Sequence, residues 1–186
     1  MAVLGVIPAR AGSKRFPGKN RAYFRGKPLF EWTVIEALKA KLDQLTLTTD
    51  DPEILEMALH IKGLNVIPRP AHLATDEATS EDILRWCLHV FDFSNFSHVV
   101  LLQPTSPLRL AQDIDDCIAI SIGSGLPVVS YCEGKKNGAV YVAPSDWLQD
   151  HDFTAPHVAY LMPKERSLDI DYPKDIDDFL SDHRSP

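Results

Sequence analysis

Two stretches of the chain concentrate groups that could do chemistry on a phosphorylated substrate. The first is Val6 to Asn20, VIPARAGSKRFPGKN, where an apolar run gives way abruptly to glycine and positive charge. Gly12 and Gly18 let backbone come close to an anion, Ser13 adds a hydroxyl, and Arg10, Lys14 and Lys19 supply charge that neutralises phosphate. The spacing is not that of a P-loop, because five residues separate Gly12 from Gly18 and Lys19 is followed by Asn20 instead of a hydroxyl residue. Another kind of anion cradle is therefore expected, with Arg15, Arg21 and Arg25 read as solvated charges outside it. The second stretch is SLDIDYPKD, where Asp169 and Asp171 stand two residues apart, so that on a strand both carboxylates project from one face. Neighbouring carboxylates repel unless a cation joins them, and magnesium bound through one or two carboxylates plus substrate phosphates meets that need. The alternative is that Asp171 and Asp175 only favour the start of a final helix.

Three further groups lie between these ends. Arg69 is flanked by Pro68 and Pro70, so its backbone is stiff and extended, which suits a guanidinium aimed at a phosphate or carboxylate and equally one packed on the surface. Thr79 and Ser80 precede Glu81 and Asp82, the pattern of a helix N-cap. In LLQPTSPLR, Leu101 to Arg109, two prolines fix the path of Gln103, Thr105, Ser106 and Arg109. Gln103 carries both donor and acceptor and can read a sugar or base edge, or cap the sheet.

The elements that must position these groups follow from apolar patterning. Strands are expected at Val3 to Ile7, Leu45 to Thr49, Val66-Ile67 and His98 to Leu102, alternating with helices at Leu29 to Leu42, from Pro52 to before Gly63, at Glu81 to Phe91 and at Ala111 to Ile122. Beyond these, Pro127 to Tyr131, Ala139 to Val142 and Val158 to Leu161 are strand-like. Asn137-Gly138 offers a hairpin turn, Ser145 to Gln149 a short helix, and Ile176 to Leu180 the core of a last helix announced by Pro173. Ser181 to Pro186 are expected to fray. Such alternation defines an α/β fold with a mainly parallel sheet, in a single domain spanning residues 1–186. In open sheets of this kind the site lies beyond the carboxyl ends of the strands, where the unusual loops must gather.

Charge narrows the ligand. Met1 to Phe30 carries seven basic residues and no acid, while the rest of the chain has 12 basic and 26 acidic residues, net −14. With an overall charge of −7 and a pI near 5.4, the chain suits a compact polyphosphate better than a nucleic acid, for which no aromatic platform accompanies the basic loop. Cys87, Cys117 and Cys132, with no C-x-x-C pair, read as buried free thiols. No leader-like or membrane-length apolar run is seen, so a cytoplasmic protein with no membrane partner is expected.

Taken in order, IPARAGSKRFPGKN, RPAHLATDEATS, LLQPTSPLR, NGAVY and LDIDYPKD resemble the CMP-N-acylneuraminate cytidylyltransferases, from Val3 to about Leu180 and most strongly up to Arg109. The resemblance implies a Rossmann-like nucleotidyltransferase fold, a three-layer αβα sandwich. It also implies an enzyme that joins CTP to an acidic nine-carbon (nonulosonic) sugar with Mg2+, giving a CMP-sugar and pyrophosphate. By similarity Arg10, Ser13, Lys14, Lys19 and Asn20 would hold the CTP phosphates, with Gly12 of the same loop counted among the nucleotide-binding residues for its backbone approach. Arg69 and Ser80 would contact nucleotide, Gln103 would face the sugar, and Asp169 with Asp171 would hold the metal. Lys19 and Arg10 would stabilise the charge that moves onto pyrophosphate. One feature departs from the family: its long arm between SPLR and NGA, used in dimerisation, is replaced here by Leu110 to Lys136 alone, which leaves the oligomeric state open. The rival readings are a deoxy-octulosonate (Kdo-type) cytidylyltransferase and a nucleotide-binding module without catalysis.

Overall fold

A computed structural model describes residues 2–182 of the 186-residue chain. In chain order the strands are β1 (Ala2–Pro8), β2 (Tyr23–Phe24), β3 (Lys27–Pro28), β4 (Gln44–Thr49), β5 (Asn65–Pro68), β6 (Phe96–Leu101), β7 (Val128–Cys132), β8 (Lys135–Pro144) and β9 (Val158–Leu161). The helices are α1 (Leu29–Ala37), α2 (Pro52–Leu59), α3 (Ser80–Val90), α4 (Ala111–Ser124), α5 (Ser145–Asp150) and α6 (Pro173–Asp182). Seven strands form one sheet in the order β5-β4-β1-β6-β8-β7-β9, and β2 with β3 makes a separate small hairpin. β1 pairs in parallel with β4 and β6, β4 with β5, and β7 with β9, while β8 runs antiparallel to both its neighbours.

Side-chain alternation sends the two faces of the sheet into different cores. Val3 and Ile7 pack with Val34, Ile54 and Ile114 under α1, α2 and α4. Leu4 and Val6 pack with Leu84, Leu88 and Leu148 under α3 and α5. A third, smaller cluster of Phe24, Leu29 and Ile170, with Phe16 and Phe179 against it, joins the β2–β3 hairpin and α6 to the basic loop. Among the described residues no helix is long and apolar enough to cross a membrane. Cys87 and Cys117 are buried and Cys132 half-buried, all as free thiols.

Four sequence expectations change in the structure. Helix α1 stops at Ala37, short of Leu42, because the chain must turn to lay β4 beside β1. The Leu42 side chain then fills the space over Gly5, where a Cβ would come within 2.7 Å of it, and the Asp43 carboxylate accepts from the Val3 amide at 2.8 Å. The β7–β8 hairpin turns at Glu133-Gly134, both at positive φ (48° and 78°), and Asn137-Gly138 lies inside β8. Asp169 and Asp171 sit in extended chain outside the sheet, tethered by Ile170 N–H to the Thr105 carbonyl at 2.9 Å. Helix α6 runs to Asp182, so of the frayed end expected at Ser181 to Pro186 the first two residues are helical and 183–186 lie outside the described residues.

Candidate active site

The loops that follow β1, β4, β5 and β6 meet at the carboxyl edge of the sheet, as an open α/β sheet requires. The segment before α6 closes them from the side. Between them lies a cleft of about 350 Å³ lined by Arg10, Lys19, Asn20, Arg69, Ser80, Gln103, Asp169 and Asp171, together with Thr75, Asp76 and Thr105. Residues as far apart in sequence as Arg10 and Asp171 thus share one wall. A second hollow of about 380 Å³ shares Arg10, Lys19 and Asn20 and adds Ser13 and Lys14. Gly12 lines only a shallower recess outside it, beside Ser13 and Lys14.

The basic loop is held open by its own polar groups. The Asn20 amide donates to the Arg10 carbonyl at 2.9 Å, and the Ala11 N–H donates to the Asp50 carboxylate at 2.9 Å. Gly18, at φ 69°, starts the single helical turn that carries Lys19 and Asn20. Arg10 donates to the Thr75 carbonyl and the Asp76 carboxylate, both at 2.7 Å, and Lys14 pairs with the same carboxylate. These two cations hold the Asp76 carboxyl below its ordinary range, the Lys14 bond first and the Arg10 bond second. Lys19 pairs with Asp171 at 2.8 Å and Arg15 with it at 3.2 Å. The remaining loop arginines are structural and not simply solvated: Arg21 pairs with Asp51 and Glu53, and Arg25 lies over the Phe24 and Phe179 rings.

Arg69 is the exception to this pairing. It donates to no carboxylate: the backbone N–H donates to the Thr49 carbonyl at 2.8 Å, and one guanidinium nitrogen donates to the Thr48 carbonyl at 3.1 Å. Its Nε has no partner among the described residues, and it makes no ion pair with them. Burial of the side chain pushes its pKa down to about 10. The Asp50 charge offsets this desolvation only in part, and a buried guanidinium without an ion-pair partner is costly, so an anionic ligand in the cleft would supply what it lacks. Thr79 and Ser80 divide their expected roles. Thr79 is the N-cap of α3, in a reciprocal capping box with Asp82, which frees Ser80 to face the cleft.

Asp169 and Asp171 differ in environment. The Lys19 hydrogen bond, ahead of any other influence, holds the Asp171 carboxyl low. Asp169 is open to solvent through the cleft mouth, yet desolvation by the surrounding walls outweighs a Thr105 hydrogen bond and raises its pKa. Asp169 makes no ion pair among the described residues. Two carboxylates with no nitrogen or sulfur donor fit a hard cation such as Mg2+, which takes few protein ligands and completes its shell with water and phosphate. No cluster of three or more His, Cys, Asp or Glu fit to hold a metal occurs among the described residues, so such an ion would depend on ligand oxygens. Asp175, by contrast, accepts from the Asp171 and Tyr172 amides and only caps α6.

Two residues beside the cleft were missed as organisers of it. The buried Asn137 amide donates to Ser167 Oγ at 3.0 Å, and its carbonyl accepts from Ser130 Oγ at 2.6 Å, which ties the segment leading to Asp169 onto the sheet. Gly138, at φ 73°, packs so closely that a Cβ there would come within 2.7 Å of Gln103 Oε1 and 3.7 Å of Asp169 Oδ2. Their signal was present in the NGAVY motif, where the Asn-Gly pair reads as a turn.

Sheet order, cleft position and the anion-facing cations together define a Rossmann-like nucleotidyltransferase fold. Residues 4–120 match the model of the cytidylyltransferase family, and the chain belongs to that family. It is similar to a CMP-N,N'-diacetyllegionaminic acid synthase of Legionella pneumophila, 38% identical over 136 residues, which cover 70% of this chain and 57% of that protein. It is also similar to an N-acylneuraminate cytidylyltransferase of Streptococcus agalactiae, 30% identical over 221 aligned positions that cover 97% of this chain and 52% of the relative. The chain thus spans about half the length of the curated relatives it matches. Among solved structures, a CMP:2-keto-3-deoxy-manno-octonic acid synthetase complexed with CTP superposes with a TM-score of 0.78 at 15% identity, covering 97% of this chain and 98% of that one.

Proposed function

We propose that the protein is a cytidylyltransferase that couples CTP to an acidic nonulosonic sugar, with Mg2+, to give a CMP-sugar and pyrophosphate. The observation that carries this reading is Arg69, a buried cation with no ion-pair partner among the described residues, opening into the same cleft as Arg10, Lys19 and the Asp169–Asp171 pair. In this reading the triphosphate replaces Asp76 and Asp171 as the partner of Arg10, Lys14 and Lys19, while Ser13 and Asn20 line its path and Gly12 the approach to it. Arg69 and Ser80 meet the nucleotide on the α3 side, and Gln103 faces the acceptor.

The anomeric hydroxyl oxygen of the sugar attacks the α-phosphorus in line. The bond from that phosphorus to the bridging oxygen breaks, pyrophosphate leaves with the electron pair, and the hydroxyl proton passes to solvent. The chain's contribution is to position two anions and neutralise the charge that gathers on the leaving group, with Lys19 and Arg10 nearest to it. When bound, the Mg2+ would rest on Asp169 and Asp171 and supply further charge neutralisation at the phosphates. CTP is made in the cytoplasm, which fits a cytoplasmic role for the chain.

The test is pyrophosphate release with CTP and Mg2+ across a panel of nonulosonic and octulosonic acids, beside an Asp169→Ala/Asp171→Ala control. Release with a nonulosonic acid, lost in the control, is expected. Release with an octulosonic acid alone would move the assignment to the Kdo type. CTP binding with no release on any acid would leave a nucleotide-binding module, and absence of CTP binding would overturn the reading.

A further inference from the structure

Arg109 is the largest fully buried side chain among the described residues, 1% exposed, yet its hydrogen bonds go to no carboxylate. Its guanidinium instead reaches three separate elements. One nitrogen donates to the Ala139 carbonyl on β8, another to Thr33 Oγ on α1 at 2.6 Å, and both lie 3.3 Å from the Gln103 carbonyl in the loop after β6. Its Nε is left without a partner, and desolvation pushes its pKa down to about 10 in spite of the more distant Asp113 and Glu36. A buried, incompletely satisfied cation is a poor device for stability alone, since an apolar side chain of similar volume does as well. What it provides is geometry. The Gln103 carbonyl just beyond the end of β6 and the Ala139 carbonyl on the neighbouring β8 repel when brought together, and a planar fork of donors between them sets their separation in a way that a point-charge ammonium does not. Those carbonyls belong to Gln103 and to the residue after Gly138, the pair whose side chain and backbone meet at the cleft floor beside Asp169.

We propose that Arg109 is a positioning residue for the acceptor side of the cleft: by pinning the Gln103 carbonyl to the Ala139 carbonyl it sets where the Gln103 carboxamide stands over Gly138. The acceptor assignment of Gln103 rests on the function proposed above, whereas the positioning itself does not. Two readouts separate them. In the free protein, the 1H–15N heteronuclear NOE of the Gln103 side-chain amide, assigned by its absence in Gln103→Met, reports its order on the ps–ns timescale. The value should be high in the wild type, lower in Thr33→Val, which removes one acceptor of the fork, and lowest in Arg109→Lys. In parallel, kcat/KM for the acid should fall at least about tenfold in Arg109→Lys, while the Kd for CTP stays within about twofold, because misplacing one substrate by a fraction of an ångström acts on that substrate alone. An unchanged Gln103 NOE in folded variants overturns the proposal, as does an equal loss of CTP and acid binding. If Arg109→Lys fails to fold, Arg109→Met decides, because Thr33→Val also removes the 3.4 Å bond from the Thr33 hydroxyl to the Gln103 carbonyl. If the wild type releases no pyrophosphate with any acid, the function assignment fails and the NOE still judges the positioning role.

Discussion

The cations of the first loop meet carboxylates before they meet any ligand. Asp76 takes Arg10 and Lys14, and Asp171 takes Lys19 and Arg15. Apart from Lys19, whose side chain is 16% exposed, the members of these pairs have side chains 30% or more open to water, where an ion pair contributes little, so a triphosphate carrying several charges can exchange with them. Asp76 is then a competitor for the cradle. Asp76→Asn, which keeps shape and one acceptor but removes the charge, should tighten CTP binding roughly three- to tenfold in isothermal titration calorimetry, a gain typical of one screened charge. Weaker binding would show that Asp76 assists the ligand instead. Arg69 presents the opposite case, a buried charge that the folded protein alone does not satisfy. Replacing it with an apolar side chain, Arg69→Met, should leave Tm unchanged or higher while CTP affinity falls about tenfold or more. Parallel loss of Tm and affinity would make Arg69 a structural residue.

At the scale of elements, α3 delivers Ser80 to the cleft only because Thr79 ends the preceding loop cleanly. Thr79→Ala removes the hydroxyl half of the capping box and should cost about 1 kcal/mol in denaturant unfolding. CTP affinity should fall less than in Arg69→Met, since the helix start frays without losing a cation. Strand β6 carries a different constraint in His98, which is 6% exposed. Burial pushes its pKa below the ordinary value and outweighs a contact with the Ser121 backbone. The unfolded chain therefore binds a proton near pH 6.5 that the folded chain refuses. Its contribution to stability is complete above that pH and declines as pH falls toward the lowered folded-state value. Urea unfolding at pH 7.5 and 5.5 should show a smaller pH-dependent loss in His98→Phe than in the wild type.

For the whole molecule, one sheet serves both main cores: Val3 and Ile7 point into one while Leu4 and Val6 point into the other. Neither core can open without exposing the shared strands, so unfolding of the chain should be one transition, with coincident midpoints by tryptophan fluorescence and far-UV circular dichroism. Separate midpoints would divide the expected single domain. The segment between SPLR and NGA, which stands where the family has its long arm, is used up by α4, β7 and the tight β7–β8 hairpin, so no arm leaves the body there. Much of this was legible in the residues themselves. Apolar periodicity set strand and helix order because burial on one or both faces demands it, and the carboxyl-edge rule for open sheets then gathered Arg10, Lys19, Arg69 and Gln103 without further information. Local chemistry misled where a distant partner overrode it: Asn137-Gly138 has the composition of a turn, but the hydrogen bond from Ser130, seven residues away, draws Asn137 into β8. Asp169 and Asp171 have strand alternation, but Ile170 bonds to Thr105 and not to a sheet neighbour. Which carboxylate meets which cation was decided only by the fold. Asp76 lies 66 residues from Arg10 and Asp171 lies 152 from Lys19, and a charge carries no mark in the sequence of the partner that folding will bring within 3 Å.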